Sequence, residues 1–352
     1  MNAGQGKVPV GVLGATGVVG QRFLSLLDQH PWFEPVWLAA SDRSAGKTYA
    51  EATRWRLPQP MPGRFATLPV SEATPDGCPA RVIFAALDAV AARQLEPAFA
   101  DAGHIVVSNS SALRMQADVP LLVPEVNPEH LGLITRQPSF ARGGYAVTNP
   151  NCSAAGLVMA LAPLERAFGI ESVFVVTMQA VSGAGYPGVA SLDILGNVVP
   201  HIGGEEEKLE VEAQKILGRL GPDGIAPARF AVSAHCNRVA VVDGHLESVS
   251  VKLRARATLE DVAEALRTFR GRPQDLGLPT APAAPVLVTS APDRPQPRFD
   301  VDAGNGMSAV VGRLRPCNLL DFKFTVLSHN TLRGAAGAAL LNAELLKAEG
   351  RL

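Results

Sequence analysis

The chain has 352 residues, of which 32 are Lys or Arg and 33 are Asp or Glu, so its formal net charge is −1. This balance argues against a protein that binds nucleic acid or a membrane surface through electrostatics. Hydrophobic residues make up 47% and charged residues 18%, which excludes a disordered chain. We therefore expect a folded protein that acts on small molecules.

The cysteines and the start of the chain bear on the cellular compartment. The four cysteines, at positions 78, 152, 236 and 317, form neither a Cys-x-x-Cys pair nor a short disulfide framework. The first residues lack the charged and apolar regions of a signal peptide, and no apolar run is long enough to span a membrane. We expect a cytoplasmic protein with no metal site, no nucleic-acid partner and no membrane partner.

The first 150 residues alternate between apolar runs and helical patterns. Alternation of this kind is typical of a parallel sheet with helices on both faces. We predict a Rossmann-like, doubly wound α/β domain over 1–150. Its predicted strands are 8–13, 36–40, 82–86 and 105–108, and its helical patterns are 20–30 and 88–102.

Beyond residue 150 the pattern changes to long alternating strands with helices between them, which predicts an α+β second domain over 151–330 with a mixed or antiparallel sheet. The proline-rich segment 279–298 is expected to be a loop. The Gly- and Ala-rich helix 331–348 is expected to return to the first domain, so that 331–352 completes it. The remaining predicted strands are 172–181, 229–242, 245–254, 308–313 and 319–327, and the remaining helices are 153–162 (expected to end at Pro163), 204–217 and 258–270.

Four glycines, at 11, 14, 17 and 20, extend from the first predicted strand across the turn to the start of the first helix. This placement is typical of a turn that brings backbone close to the pyrophosphate of a dinucleotide. The second strand is followed by Ser41-Asp42-Arg43-Ser44. An acidic residue there favours NAD and an arginine favours NADP, so this rule alone does not choose the cofactor.

Cys152 directly precedes the predicted helix 153–162. A helix N-terminus stabilises a thiolate and can make such a cysteine a nucleophile near neutral pH. A small buried structural cysteine is the alternative, and the local sequence does not decide between them.

His245 follows an Asp243-Gly244 turn, which predicts a hairpin. Strand parity would then place Arg238 and His245 on the same sheet face, with Cα atoms roughly 13 Å apart. Taken alone, His245 could be a structural residue and Arg238 part of an ion pair.

Charged residues mark two further segments. Glu205 and Lys208 are three apart at a predicted helix start and therefore share a face, either as a surface ion pair or as ligand-binding groups. Arg114 follows the fourth predicted parallel strand, where loops line the ligand crevice of doubly wound sheets.

Together these segments resemble the aspartate-semialdehyde dehydrogenase family, in particular its archaeal and fungal branch. The resemblance implies a dinucleotide-binding domain, an α+β catalytic and dimerisation domain, and a homodimer or homotetramer. It runs in order through GATGVVGQRF, AASDRSAGK, SNSSALRM, NPNCSAAGL, TMQAVSGAGYPG, EEEK, HCNRVAVVDGH and SHNTLRGAAG.

The resemblance implies reductive dephosphorylation of L-aspartyl 4-phosphate by NADPH through a cysteine thioester. Cys152 matches the nucleophile of the family, and His245 matches its general acid/base. The substrate-binding positions match as follows: Gln179 orients the substrate, Arg238 holds its α-carboxylate, Glu205 accepts its α-ammonium, and Arg114 and Lys208 form the phosphate site.

Cofactor positions also follow from the resemblance. The residues Ser41, Arg43 and Ser44 match the family's Ser-x-Arg-Ser, which favours NADP. The pyrophosphate turn matches Thr16, Gly17, Val18 and Val19, and the nicotinamide side matches Ser182, Gly183, Ala184, Gly185 and Asn330.

One departure is visible, because Ala240 stands where this branch commonly has proline. Two alternatives remain open at this point. A reductase of malonyl-CoA or of N-acetyl-glutamyl phosphate could use the same Cys and His, although malonyl-CoA has no ammonium for Glu205 to bind. A non-catalytic cofactor-binding sensor would be expected to lack Cys152 or His245.

Overall fold

The computed structural model describes residues 6–352 and contains two six-stranded β-sheets. No helix among these residues has the length and apolar character needed to cross a membrane. Short helices and a small two-stranded β-ribbon lie in the connections between the main elements. They are Tyr49–Ala52, Gly63–Ala66, Ser191–Ile194, Arg272–Leu276 and Pro297–Asp300, with a ribbon of Arg219–Gly221 and Gly224–Ala226.

The first sheet is entirely parallel, with strand order β3-β2-β1-β4-β5-β6. Each predicted apolar run lies in one of its strands, which confirms the doubly wound α/β prediction. Two strands of three and four residues were missed, because such short segments carry little periodicity. The elements are β1 Val8–Leu13, α1 Val18–Leu27, β2 Phe33–Ala40, β3 Val70–Glu72, β4 Val82–Ala85, α2 Ala89–Asp101, β5 Ile105–Ser108 and β6 Tyr145–Thr148.

The second sheet is mixed, with strand order β8-β7-β9-β12-β11-β10. The pairs β7–β8 and β10–β11 are parallel and the other three are antiparallel, as the α+β prediction allowed. The elements are α3 Cys152–Phe168, β7 Ile170–Gln179, α4 Glu205–Ile216, β8 Ala231–Arg238, β9 His245–Leu253, α5 Leu259–Arg267, β10 Val286–Thr289, β11 Ala309–Pro316, β12 Phe322–Ser328 and α6 Gly337–Ala348.

Helix α3 does not end at Pro163, contrary to the prediction. It continues to Phe168, although Pro163 cannot donate a helical hydrogen bond. Every residue from Ser153 to Leu164 is buried. Packing on all sides therefore holds the helix together across the missing bond.

The proline-rich segment 279–298 is not simply a loop. It contains β10, which pairs in parallel with β11 at the edge of the second sheet. The strand itself, VLVT, contains no proline, and the prolines of the segment lie before and after it.

The predicted hairpin between Arg238 and His245 is wrong. Strands β8 and β9 do not pair with each other, since both pair with β7, which lies between them. The Asp243-Gly244 turn therefore crosses over the end of β7. Arg238 pairs with Gln179, and Leu246 pairs with Met178, so Arg238, Gln179 and His245 still lie together at the same end of three neighbouring strands.

The C-terminal segment packs on the first sheet. A π-helical turn, Leu332–Ala336, leads into α6. Leu340, Leu341 and Leu345 belong to the same buried cluster as residues of β1, β4 and β5. The chain thus leaves the first sheet after β6, builds the second sheet and returns.

Candidate active site

A cleft of about 640 Å³ lies at the carboxyl ends of the parallel strands of the first sheet, where doubly wound proteins bind their ligands. The second sheet supplies its other wall through the loop that follows β7. We call it the active-site cleft. The predicted site residues that line it are Val18, Val19, Arg114, Cys152, Gln179, Ser182, Gly183, Ala184, Gly185, Glu205, Lys208, Arg238 and Asn330.

Cys152 is the first residue of α3, and its sulfur lies 3.1 Å from Nε2 of His245. The preceding Asn151 caps the helix, since its Oδ1 accepts hydrogen bonds from the backbone N–H groups of Ser153 and Ala154 at 2.9 and 3.3 Å. The cap fixes the turn that presents the thiol to the cleft. A nucleophile and an imidazole within hydrogen-bond distance form the arrangement used in thiol catalysis.

The imidazole of His245 is oriented by the backbone. The N–H of Ala180 donates to Nδ1 at 3.1 Å, and the ring is completely buried. Because Nδ1 accepts this bond, the proton of the neutral ring is placed on Nε2. Nε2 therefore faces the sulfur of Cys152 as a donor.

Both members of the pair favour their neutral forms. Burial raises the pKa of Cys152 from 9.0 to about 12, and the Glu205 carboxylate acts in the same direction, while Arg114 and Arg238 oppose it. Burial, and then Arg238, lower the pKa of His245 to about 3. A helix N-terminus contributes at most about 2 kcal/mol, or about one and a half pKa units. Burial at this thiol therefore opposes the stabilisation of a thiolate that the helix N-terminus was expected to provide.

Glu205 and Lys208 form an ion pair with an N–O distance of 3.2 Å, but they face the cleft rather than bulk solvent. Glu205 also accepts hydrogen bonds from Nδ2 of Asn151 at 2.8 Å and from Nε2 of Gln179 at 3.4 Å. A carboxylate is thus held beside the nucleophile with one cationic neighbour, as a receptor for a ligand ammonium would be.

Arg238 reaches the cleft from the end of β8. Its Nη1 donates to the carbonyl of Ala180 at 2.8 Å, and no carboxylate of residues 6–352 lies within ion-pair distance of it. The structural ion pair considered from the sequence is therefore not formed among the described residues. The guanidinium keeps N–H groups for an anionic ligand.

Arg114 is mostly buried and is held on two sides. Its Nη1 donates to Oε1 of Glu212 at 3.0 Å and its Nη2 to the carbonyl of Asn109 at 2.8 Å. Burial raises the pKa of Glu212, and the charge of Arg114 opposes this. Glu212 was not predicted from the sequence, although it lies seven residues after Glu205 and so on the same helix face.

Two glycines form the wall of the cleft next to Cys152 and His245, and neither was assigned this place from the sequence. A β-carbon at Gly183 would lie 2.8 Å from Nη1 of Arg238 and 3.2 Å from Nε2 of His245. A β-carbon at Gly334 would lie 2.6 Å from Cβ of Cys152. Distances this short exclude any side chain at either position without movement of the neighbours.

The glycine turn fits the pyrophosphate of a dinucleotide. Gly17 is the N-cap of α1, and no side chain caps this helix, so the N–H groups of its first turn are free to bind an anion. Gly14 has φ +83°, and Gly20 lies so close to Gly14 that a β-carbon there would be 2.3 Å from its carbonyl oxygen. Thr16 and Gly17 belong to this turn without lining the active-site cleft.

The other predicted cofactor positions lie at two places. Nδ2 of Asn330 donates to Oγ of Ser182 at 2.8 Å, and its Oδ1 accepts the N–H of Gly244 at 2.8 Å, which joins the loop after β7 to the C-terminal segment. Ser41, Arg43 and Ser44 form the turn after β2, beside the glycine turn but outside the active-site cleft. This placement suits the adenosine end of an extended dinucleotide.

Two family models match the chain, the semialdehyde dehydrogenase NAD binding domain over residues 9–134 and the semialdehyde dehydrogenase dimerisation domain over residues 161–333. The aspartate-semialdehyde dehydrogenase of Methanothermobacter thermautotrophicus is 52% identical over 344 residues, which cover 96% of this chain and 99% of that protein. The chain belongs to the aspartate-semialdehyde dehydrogenase family. The family resemblance stated from the sequence motifs is confirmed.

Further aspartate-semialdehyde dehydrogenases agree with this membership. The enzyme of Saccharomyces cerevisiae is 45% identical over 361 residues, covering 97% of this chain and 98% of that protein. The crystal structure of the Candida albicans enzyme with NADP has a TM-score of 0.92 at 45% identity, covering 98% of this chain and all of that one. These relatives are archaeal and fungal, as the motifs indicated.

Proposed function

We propose that this chain catalyses the NADPH-dependent reductive dephosphorylation of L-aspartyl 4-phosphate to L-aspartate 4-semialdehyde and phosphate. The observation that carries the proposal is the Cys152–His245 pair in a cleft that also presents the guanidinium of Arg238, which has no carboxylate partner within residues 6–352, and the carboxylate of Glu205. Family membership supports the same activity.

Cys152 forms the covalent bond to the substrate. Its sulfur attacks the acyl carbon of the acyl phosphate, and a C–S bond forms while the C–O bond to phosphate breaks. The departing phosphate takes up the thiol proton. The donor Nε2–H of His245 stabilises the sulfur as it loses that proton. Later the same donor faces the oxygen that gains charge when the thioester is reduced.

The role implied for His245 by the family is general acid/base catalysis. The hydrogen bond from Ala180 to Nδ1 supports the donating part of that role. Acceptance of a proton at Nε2 would require the tautomer with a proton on Nδ1, which would oppose the N–H of Ala180.

Substrate recognition depends on two opposite charges. The fork of Arg238 suits the α-carboxylate, and Glu205 suits the α-ammonium. Gln179, hydrogen-bonded to Glu205, orients the substrate near the sulfur. When the ammonium neutralises Glu205, the effect of this carboxylate in raising the pKa of Cys152 is reduced.

The phosphoryl group is placed between two cations of different origin. Arg114 comes from the loop after β5, and Lys208 comes from α4. Both line the active-site cleft and stabilise the negative charge of the leaving phosphate.

When bound, NADPH would supply the hydride that converts the thioester carbon to that of the aldehyde, and breakage of the C–S bond would return the sulfur of Cys152 to its free form. The chain's own contribution is binding: Thr16, Gly17, Val18 and Val19 for the pyrophosphate, and Ser182 to Gly185 with Asn330 for the nicotinamide side. Arg43, with Ser41 and Ser44, offers the cation and hydroxyl groups that a 2′-phosphate requires.

The alternatives raised from the sequence have less support. Malonyl-CoA has no ammonium, and the N-acetylated nitrogen of N-acetyl-glutamyl phosphate carries no charge. Glu205 would then face either substrate without a cationic partner from the ligand, which is unfavourable in a partly buried site. A non-catalytic sensor would have no need for the aligned Cys152 and His245.

We also propose a homodimer or homotetramer, a cytoplasmic location, and domains at 1–150 and 151–330 with 331–352 completing the first. The name of the matched dimerisation domain supports an oligomer. The four free cysteines support a reducing compartment. The return of α6 to the core of the first sheet supports the boundaries.

The direct test is the reverse reaction. Purified protein is supplied with aspartate semialdehyde and NADP, and NADPH formation is followed by absorbance with and without phosphate or arsenate. We expect NADPH formation that depends on either anion and is absent in Cys152→Ala. NADP reduction that continues over many turnovers without either anion, or efficient reduction of malonyl-CoA with NADPH, would contradict the proposal.

A further inference from the structure

One face of helix α4 carries charged residues that extend from the active-site cleft into the protein. They occupy positions 205, 208, 212 and 215, whose spacing of three, four and three places them on one side of a helix. Glu205 and Lys208 line the cleft, whereas Glu212 and Lys215 are buried behind it.

Glu212 joins two parts of the active site that come from different segments of the chain. Its Oε1 accepts a hydrogen bond from Nη1 of Arg114 at 3.0 Å. Its Oε2 accepts the backbone N–H of Asn151, the residue before the nucleophile, at 2.5 Å. The carboxylate is 2% exposed, so neither bond is exchanged easily for water.

Lys215 supports the same arrangement from the next turn of the helix. Its Nζ donates to the carbonyl oxygens of Arg114, Gln116 and Val119 at 2.6, 2.8 and 3.0 Å. The loop that carries Arg114 is therefore bound to α4 at its side chain and along its backbone.

We propose that Glu212 is a positioning residue that sets the distance between the phosphate-binding guanidinium of Arg114 and the sulfur of Cys152. This inference rests on the proposed function. The sulfur must reach the acyl carbon while the phosphoryl group lies between Arg114 and Lys208. The reaction therefore requires a defined distance between the sulfur of Cys152 and the guanidinium of Arg114. Glu212 contacts both Arg114 and the backbone beside Cys152, and it is not among the residues that line the active-site cleft.

The main variant is Glu212→Gln, which keeps the shape of the side chain. A glutamine has one acceptor oxygen, and its NH2 group would oppose one of the two N–H donors. In the phosphorylating direction we expect the KM for phosphate to rise by about 10- to 100-fold, as for loss of a hydrogen bond to a charged group. The KM for aspartate semialdehyde, which Arg238 and Glu205 bind, should stay within about threefold.

A matched control is Glu210→Gln on the same helix. Glu210 accepts a single backbone N–H, from Ala234 at 3.0 Å, and does not contact Arg114 or Asn151. We expect this variant to leave both KM values unchanged. The melting temperatures of both variants identify any general loss of folding.

The Arg114→Ala background separates positioning from a structural role. If Glu212 acts on phosphate through Arg114, Glu212→Gln should add less than about twofold to the phosphate KM in that background. Equal effects in both backgrounds, an unchanged phosphate KM, or a parallel rise of both KM values with a lower melting temperature would overturn the proposal.

A second readout does not need turnover. Phosphate bound between Arg114 and Lys208, beside Cys152, should slow alkylation of this thiol by iodoacetamide. Glu212→Gln should raise the phosphate concentration needed for protection by the same factor as the phosphate KM, and Glu210→Gln should not. Protection that is identical in wild type and Glu212→Gln would contradict the role of Glu212, whereas protection without turnover on aspartate semialdehyde would contradict only the proposed function.

Discussion

Gly334 lies directly against Cys152, so that a β-carbon at position 334 would be 2.6 Å from Cβ and 2.9 Å from Cα of the nucleophile. The π-helical turn that carries Gly334 is held by the neighbouring Arg333, which donates to both carboxylate oxygens of Glu125 at 2.6 and 2.8 Å. Both partners are fully buried. The C-terminal segment thus forms a rigid wall beside the thiol.

We predict that Gly334→Ala lowers kcat by about 10-fold or more, because the added methyl group displaces the nucleophile. Cofactor binding should be kept. Gly63→Ala is the control, since a β-carbon there meets nothing within 4 Å. Initial rates and NADPH binding measured by fluorescence check this prediction. A kcat equal to that of wild type would contradict it, because the C-terminal segment would then have moved to accept the methyl group without displacing Cys152.

Glu247 is a buried carboxyl group two residues from His245. It is 1% exposed, and neither of its oxygens has a hydrogen-bond partner among the described residues. Burial raises its pKa well above the ordinary value of 4.5. The native state therefore holds this proton more tightly than the unfolded state. The stability contributed by the neutral acid is fully present below pH 4.5 and decreases as the pH rises above it.

We predict that Glu247→Gln, neutral at every pH, becomes more stable relative to wild type as the pH rises from about 4.5 to 8, by ~1–3 kcal/mol. Urea unfolding across this range measures the difference, and the exposed Glu207→Gln is the control. A difference that does not change with pH would mean that Glu247 is not held neutral.

The cofactor preference depends on Arg43, which is exposed on the turn after β2. We predict that Arg43→Ala raises the KM for NADP by about 10- to 100-fold and changes the KM for NAD little, because only NADP has the 2′-phosphate. The exposed Arg93→Ala on α2 is the control. A wild type that prefers NAD, or equal losses with both cofactors, would refute this assignment.

The specificity for an amino acid depends on Glu205. We predict that Glu205→Gln lowers the preference in kcat/KM for aspartate semialdehyde over succinate semialdehyde by about 10-fold or more, since the second aldehyde has no ammonium. Glu207→Gln, on the exposed side of the same helix, should leave the preference unchanged. If the wild type uses both aldehydes equally well, Glu205 does not recognise the ammonium.

The sequence allowed the first sheet to be predicted, because apolar runs separated by helical patterns indicate parallel strands. The place of Cys152 at the start of a helix also has a local signal, whereas its role as a nucleophile follows from the family resemblance and stays a prediction. The hairpin error arose for the opposite reason. The Asp243-Gly244 turn has a local hairpin signal, but β7, more than fifty residues earlier in the chain, lies between the two strands.

The parts of the site that were missed depend on contacts between distant segments. Glu212 can be placed on the face of Glu205 from spacing alone, but its partner Arg114 is 98 residues away. Gly334 meets Cys152 only because the chain returns to the first sheet. The helix N-terminus beside Cys152 is visible in the sequence, whereas the burial that raises the pKa of its thiol is not.

The central claim is that the reaction proceeds through a thioester on Cys152, and a stopped-flow measurement without phosphate tests it most directly. Enzyme mixed with aspartate semialdehyde and NADP should form NADPH in a rapid burst equal to the concentration of active sites and then nearly stop, because the thioester has no acceptor. Addition of phosphate should start steady turnover, and Cys152→Ala should show neither phase. Steady NADPH formation without phosphate, or a burst that persists in Cys152→Ala, would contradict the account.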